Sequence, residues 1–170
     1  MRVLYSEPAL DKVADLLCLV RADVVITHSP DDYHPDHEAT SKLVRTATFA
    51  APIPNFQFAR AKHPPLDRIP HVFYCDPLEG KDIFGREIAP LFCVDISGQI
   101  DVKEKMLVSH ASQRDWLMKH HGMDQYLQAM RDWGAHRGRS RGVAYAEGFR
   151  QHLGHSYPQD NLLGTLLGAL

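Results

Sequence analysis

No apolar run in these 170 residues approaches the roughly 18 that a membrane span requires, and the N-terminus lacks the basic-then-apolar layout of a secretory signal. A spanning helix and a secretory route are therefore not expected, and the chain reads as cytoplasmic. Cysteine is sparse too: Cys18, Cys75 and Cys93 lie far apart, each in an apolar run, with no C-x-x-C pair. That excludes a disulfide framework and a cysteine-based zinc finger, and leaves buried free thiols as the expectation. A net charge of -2, with 24% charged residues, argues against a nucleic-acid surface. There is no internal repeat, low-complexity tract or linker, so residues 1–170 are expected to form one domain.

What is present begins with alternating elements. Leu10, Val13, Leu16, Leu17 and Val20 form a helical stripe, and "ADVVIT" follows as a short β-branched strand. "PDHEATSKLVRTATFA" returns to helical spacing through Ala39, Leu43, Val44 and Ala47, with Pro35 suited to a first turn. Five prolines between residues 51 and 70 mark an irregular crossing. "HVFYC" and "LFCVDIS" read as strands. Asp101 and Glu104 suggest a capping box opening a helix that runs to about His120, and "DQYLQAMRDWGA" suggests a shorter one. The order predicts an α/β fold with a parallel or mixed sheet. The apolar tail "NLLGTLLGAL" is expected to dock as a terminal helix or strand.

Histidine is abundant, at 11 residues, and three of them crowd into "THSPDDYHPDH", residues 27–37. The segment starts where a strand ends and finishes in the first turn of a helix, the edge at which open α/β sheets place their sites. With His34 as N-cap and Pro35 as the first helical residue, His37 falls at the third helical position, so both imidazoles can face one pocket. His37, held by the helix, is the better metal ligand, which leaves His34 as an acid-base group. Asp36 could fix a histidine tautomer, and Tyr33 could donate to a substrate carbonyl. A surface turn or satisfied core histidines would give the same letters.

The stretches "RADVVITHSPDDYHPDHEAT", "VDIS", "KEKMLVSHASQ" and "YAEGFR", in this order and spacing, resemble the LmbE-like or PIG-L family of metal-dependent N-deacetylases. The resemblance implies a Rossmann-like three-layer α/β/α fold with a mostly parallel sheet, zinc as cofactor, and an N-acetylated sugar of the N-acetylglucosamine type as substrate. It also implies His37 as a zinc ligand, His34 as general acid or oxyanion stabiliser and Asp36 as its orienting partner, with Tyr33 near a carbonyl-polarising position. The family's A-H-P-D-D-E, which supplies two further zinc ligands and the general base, does not occur in these residues. The chain therefore reads as the C-terminal portion of such a domain, N-terminally truncated, with an incomplete sheet and an incomplete metal site. Weak zinc binding and little turnover by this chain alone are the expectation, with water activation left to Asp31, Asp32 or His28.

Outside the motif, His110 with Gln113 could reach the pocket or bond a strand end, and Glu147 and Arg150 could contact sugar hydroxyls or a subunit. Arg137, Arg139 and Arg141 could meet a substrate phosphate, Arg141 being the substrate-binding candidate alongside His110, or could simply be solvated. The main alternative to catalysis is an inactive remnant that binds sugar or metal, or that needs a homo-oligomer or a complementing chain. A histidine-based phosphoesterase is a third class.

Overall fold

A computed structural model describes residues 2–56, 62–110 and 123–170. Four strands form one sheet in the order β1 (Val24–Thr27), β2 (His71–Cys75), β4 (Ala146–Gln151) and β3 (Phe92–Asp95). β1 and β2 pair in parallel, joined through helix α2 (Pro35–Ala50), because a parallel pair needs a crossover where a hairpin would not reach. β4 pairs antiparallel with both β2 and β3. Three strands thus run one way and β4 alone runs against them, so the α/β class holds and the expected mostly parallel sheet is in fact mixed. The reversal follows from the connection: the long helix α4 (Met123–Arg139) carries the chain back before β4 enters between β2 and β3.

Helices cover both faces. On one, α1 (Glu7–Val20) and α2 pack through Leu10, Ala14, Leu17, Cys18, Leu43 and Ala47, with Val25 of β1 against them. The stripe expected on α1 is rotated: Ala14 and Cys18 are buried while Leu16 and Val20 are exposed. Small side chains at those positions let the two helices approach closely, and that gain outweighs burial of the larger residues. On the other face Phe73, Phe92 and Phe149 cluster beneath Leu163 of the terminal helix α5 (Leu162–Leu167). The tail docks as expected, and the Leu170 N–H donates to the Cys93 carbonyl at 2.8 Å.

Helix α3 (Ile100–Val108) departs from its sequence signature. Its N-cap is Gln99, with no side-chain cap bond. Asp101 and Glu104 instead grip Arg131 of α4 at 2.7 and 2.6 Å, so a salt link between helices takes the carboxylates that a capping box would have used. The expected continuation beyond His110, including Gln113, lies outside the described residues. α4 is longer than expected and runs through Gly138, where a Cβ would come within 2.6 Å of the Val143 carbonyl oxygen.

Candidate active site

β1, β2 and β3 end at one edge of the sheet, and the motif starts there, at His28 directly after Thr27. Ser29 is fully buried and ties the loop together. Its hydroxyl donates to the Asp31 carbonyl at 2.7 Å and accepts from Arg150 of β4 at 2.7 Å. Asp32, 4% exposed, is the hub of the turn: one carboxylate oxygen accepts the His34 N–H at 2.9 Å and faces His37 Nδ1 at 3.0 Å. His34 caps α2, its Nδ1 accepting the Asp36 N–H at 3.2 Å, and Pro35 opens the helix as its spacing predicted.

These bonds set two opposite tautomers. His34 Nδ1 acts as an acceptor, so the proton of the neutral ring is on Nε2, which becomes a donor. His37 Nδ1 donates to Asp32, so its Nε2 presents a lone pair. One turn of helix therefore offers a proton donor and a Lewis base side by side, in rings 4.7 Å apart.

His28 stacks on His37 with centroids 4.1 Å apart and planes within 2°. Burial, reinforced by the facing His37 ring and by His34, holds His28 below the ordinary histidine pKa, although Asp32 opposes the shift. The ring is thereby kept neutral and available as a ligand. Tyr33, 61% exposed, stands edge-on to both His34 and His37. The Asp36 carboxylate accepts the N–H groups of Arg2 and Val3 at 3.1 and 3.3 Å; these hold its pKa down against a desolvation penalty.

His28, Asp32 and His37 form a candidate metal group, each offering one donor atom within 4.8 Å of the others. Two imidazoles and a carboxylate suit zinc in kind and number, and zinc bonds of about 2.0–2.1 Å bring donors closer than this spread. In-plane lone pairs of rings parallel within 2° do not converge, so loading the site requires one ring to turn. The set fits zinc after that adjustment. Sequence reasoning had marked only His37 as a ligand; His28 and Asp32 were visible in the same eleven residues, but no helical spacing linked them to it.

His34, Asp36, Tyr33 and His37 are thus brought together in one turn. His110 is exposed just beyond α3, its N–H on the Leu107 carbonyl, and no hydrogen bond, ion pair or ring contact among the described residues ties it to the motif. Arg141 follows α4 and lines an open groove of about 690 Å³ with Arg139, Ser140 and His136.

A mixed α/β sheet with a histidine–carboxylate centre at the shared ends of its co-directional strands defines the class. Residues 2–48 match the model of the PIG-L family, described as GlcNAc-PI de-N-acetylase. This match and the shared fold support assignment of the chain to the PIG-L, LmbE-like family. No curated protein matches the chain. The conserved protein TT1542 from Thermus thermophilus aligns with a TM-score of 0.71 at 27% identity, covering 92% of this chain and 64% of its own. The N,N'-diacetylchitobiose deacetylase from Pyrococcus horikoshii gives 0.71 at 23% identity over 95% of this chain and 58% of its own. The 4-carboxy-2-hydroxymuconate hydratase from Pseudomonas putida gives 0.66 at 19% over 95% and 64%. The chain therefore spans less than two thirds of each of these structures. Among the described residues no helix is long and apolar enough to cross a membrane.

Proposed function

We propose that the chain carries the acid-base and metal-binding wall of a zinc-dependent N-deacetylase acting on an N-acetylglucosamine-type sugar conjugate. The observation that carries this reading is the pair of opposite tautomers at the start of α2. Amide hydrolysis needs a donor for the developing oxyanion and the leaving amine, and a base or ligand beside it. His34 Nε2–H supplies the first and His37 Nε2 the second. The Asp36 N–H fixes the His34 tautomer, and Tyr33, edge-on to both rings, would donate to the substrate carbonyl. His28, Asp32 and His37 would hold zinc, which when bound supplies a Lewis acid for the amide carbonyl. The family match supports the substrate class.

The test is release of primary amine and acetate from an N-acetylglucosamine conjugate by the zinc-supplemented chain. The expected result is slow release by the chain alone, which His34→Ala and His37→Ala abolish while the fold persists. Absence of release from folded protein at saturating zinc would sink the catalytic reading. A second reading is favoured by the parallel His28–His37 stack, whose lone pairs do not yet converge. On it the chain is a sugar- or metal-binding module, or shares its site with a second copy or a complementing chain, and zinc binds without turnover.

A further inference from the structure

The connection from β2 to β3 leaves the sheet at the same end as the histidine motif, because β1 and β2 are parallel, and it folds into a tight hairpin. Lys81 and Glu87 pair across it as a bridge, the Asp82 N–H donates to the Arg86 carbonyl at 2.9 Å, and Gly85 closes the turn at φ +77°. One Asp82 carboxylate oxygen accepts the Phe84 and Arg86 N–H groups, each at 2.8 Å. The base is held as firmly: buried Arg137 donates to Glu87 at 3.0 Å and to the Ile88 carbonyl at 2.6 Å, and Gly80 packs against the Trp133 ring. At the tip the Ile83 N–H donates to Asp31 Oδ1 at 3.4 Å, which joins the hairpin to the motif one residue before Asp32.

This ordered turn carries apolar side chains at its tip, where Ile83 is 58% and Phe84 75% exposed. A turn that only joined two strands would be served by the polar residues that turns favour. The Arg86 guanidinium lies over the Phe84 ring at 5.8 Å, and no other ring contact among the described residues involves Phe84, so its other face is open to solvent. Tyr33, edge-on to His34 and His37, gives the motif a second exposed ring. The histidine centre therefore has an accessible aromatic face tied to it through Asp31, on a backbone that cannot fold the ring away.

We propose that Phe84 is a stacking platform for the sugar ring of the substrate, a refinement that rests on the N-deacetylase reading for its choice of ligand. A pyranose presents a face of C–H groups that packs on an aromatic ring while its hydroxyls stay in water, so an exposed ring on a fixed turn suits it. Holding the ring in place beforehand removes the ordering cost that a mobile loop incurs on binding. The charges of the hairpin favour a neutral ligand. Glu79, Asp82 and Glu87 outnumber Lys81 and Arg86, which opposes docking on the anionic lipid surface that an exposed Ile-Phe pair would otherwise suit.

The experiment is a titration of the zinc-supplemented chain with methyl N-acetylglucosaminide, followed by ¹H NMR, for the native protein, Phe84→Trp and Phe84→Leu, with far-UV circular dichroism reporting retention of the fold. Stacking predicts upfield shifts of the sugar C–H protons on binding, retained in Phe84→Trp and lost in Phe84→Leu, with roughly three- to tenfold weaker binding by the leucine variant. Leucine keeps an apolar side chain and removes only the aromatic face. Absence of sugar binding, absence of the upfield shifts, or a leucine variant that binds as tightly as the native chain would overturn the platform, as would Phe84-dependent capture by phosphatidylserine vesicles in place of the sugar. Amine release from a chain whose sugar binding ignores Phe84 removes the platform and leaves the deacetylase reading. Phe84-dependent sugar binding without amine release keeps the platform and removes the catalytic reading.

Discussion

Replacing Asp32 by Asn tests the logic of the motif at its hub. In the native chain one buried oxygen of Asp32 serves both the His34 N–H at 2.9 Å and His37 Nδ1 at 3.0 Å. Hydrogen bonds to a charged acceptor contribute about 1.5–3 kcal/mol each, against about 0.5–1.5 for neutral ones. Neutralising the acceptor of two such bonds therefore costs about 2 kcal/mol, and relief of carboxylate desolvation keeps the loss near or below that figure. The more telling effect is chemical. An amide can turn its NH₂ toward His37 Nδ1, which moves the ring proton to Nε2 and removes the lone pair from the face that needs it. Loss of such support behind a metal ligand typically weakens affinity about 10- to 100-fold, and because Asp32 is also one of the three candidate zinc donors, the variant should lose at least that much. Three measurements follow: urea denaturation, zinc competition against a chromogenic chelator, and long-range ¹H–¹⁵N spectra that distinguish the two imidazole tautomers. Native His37 should carry its proton on Nδ1 and native His34 on Nε2. If the native His37 proton is on Nε2, or if the variant keeps both tautomers and native zinc affinity, the reasoning fails.

Other parts of the molecule give independent expectations. Arg137→Ala breaks a buried clamp that holds Asp76, Glu87 and the Ile88 carbonyl at once, and should lower stability by about 3–5 kcal/mol in urea melts. Gly138→Ala forces a methyl group against the Val143 and Ala144 carbonyls; a loss of about 1–3 kcal/mol is expected, where an exposed helical Gly→Ala would stabilise. His152, bonded through Nδ1 to the Tyr74 hydroxyl at 3.0 Å, is held below its ordinary pKa by burial and then by the charge of Arg45. A histidine whose folded pKa is depressed contributes stability that is complete above the unfolded value near 6.5 and is lost as pH falls from there through the folded pKa. His152→Gln should therefore flatten the acid side of the stability profile, and an unchanged slope below pH 6.5 would refute the assignment.

Much of the site was legible because it is local. Pro35 at the first helical position, His34 as cap and His37 one turn further in follow from helix geometry over four residues, and the structure reproduces each. Asp32 and His28 were read as candidates for water activation and not as partners of His37, because their contacts arise in a non-periodic loop, where a buried serine and an arginine 121 residues away fix the path. The fold divides along similar lines. "HVFYC" is strand over its whole length because its β-branched and aromatic residues are buried on both faces. Tertiary context overrode the local signal on α1, where small residues won the interface, and at α3, where Asp101 and Glu104 serve Arg131. The reversal of β4 had no local signal at all, since direction within a sheet is set by partners far away in sequence.

That reversed strand also governs how the chain reaches its native state. β2 and β3 are separated by β4, so neither can complete its pairing until residues 146–151 have emerged. A ribosome that has released the histidine motif and both flanking strands has still exposed the inner edges of β2 and β3, with Phe73 and Phe92 uncovered. Central closure is thus the late, long-range step, the kind that slows folding and favours association between unfinished chains. The six residues of β4 then act as a keystone: the shared strand edge that organises the histidine turn takes its final form only when they arrive.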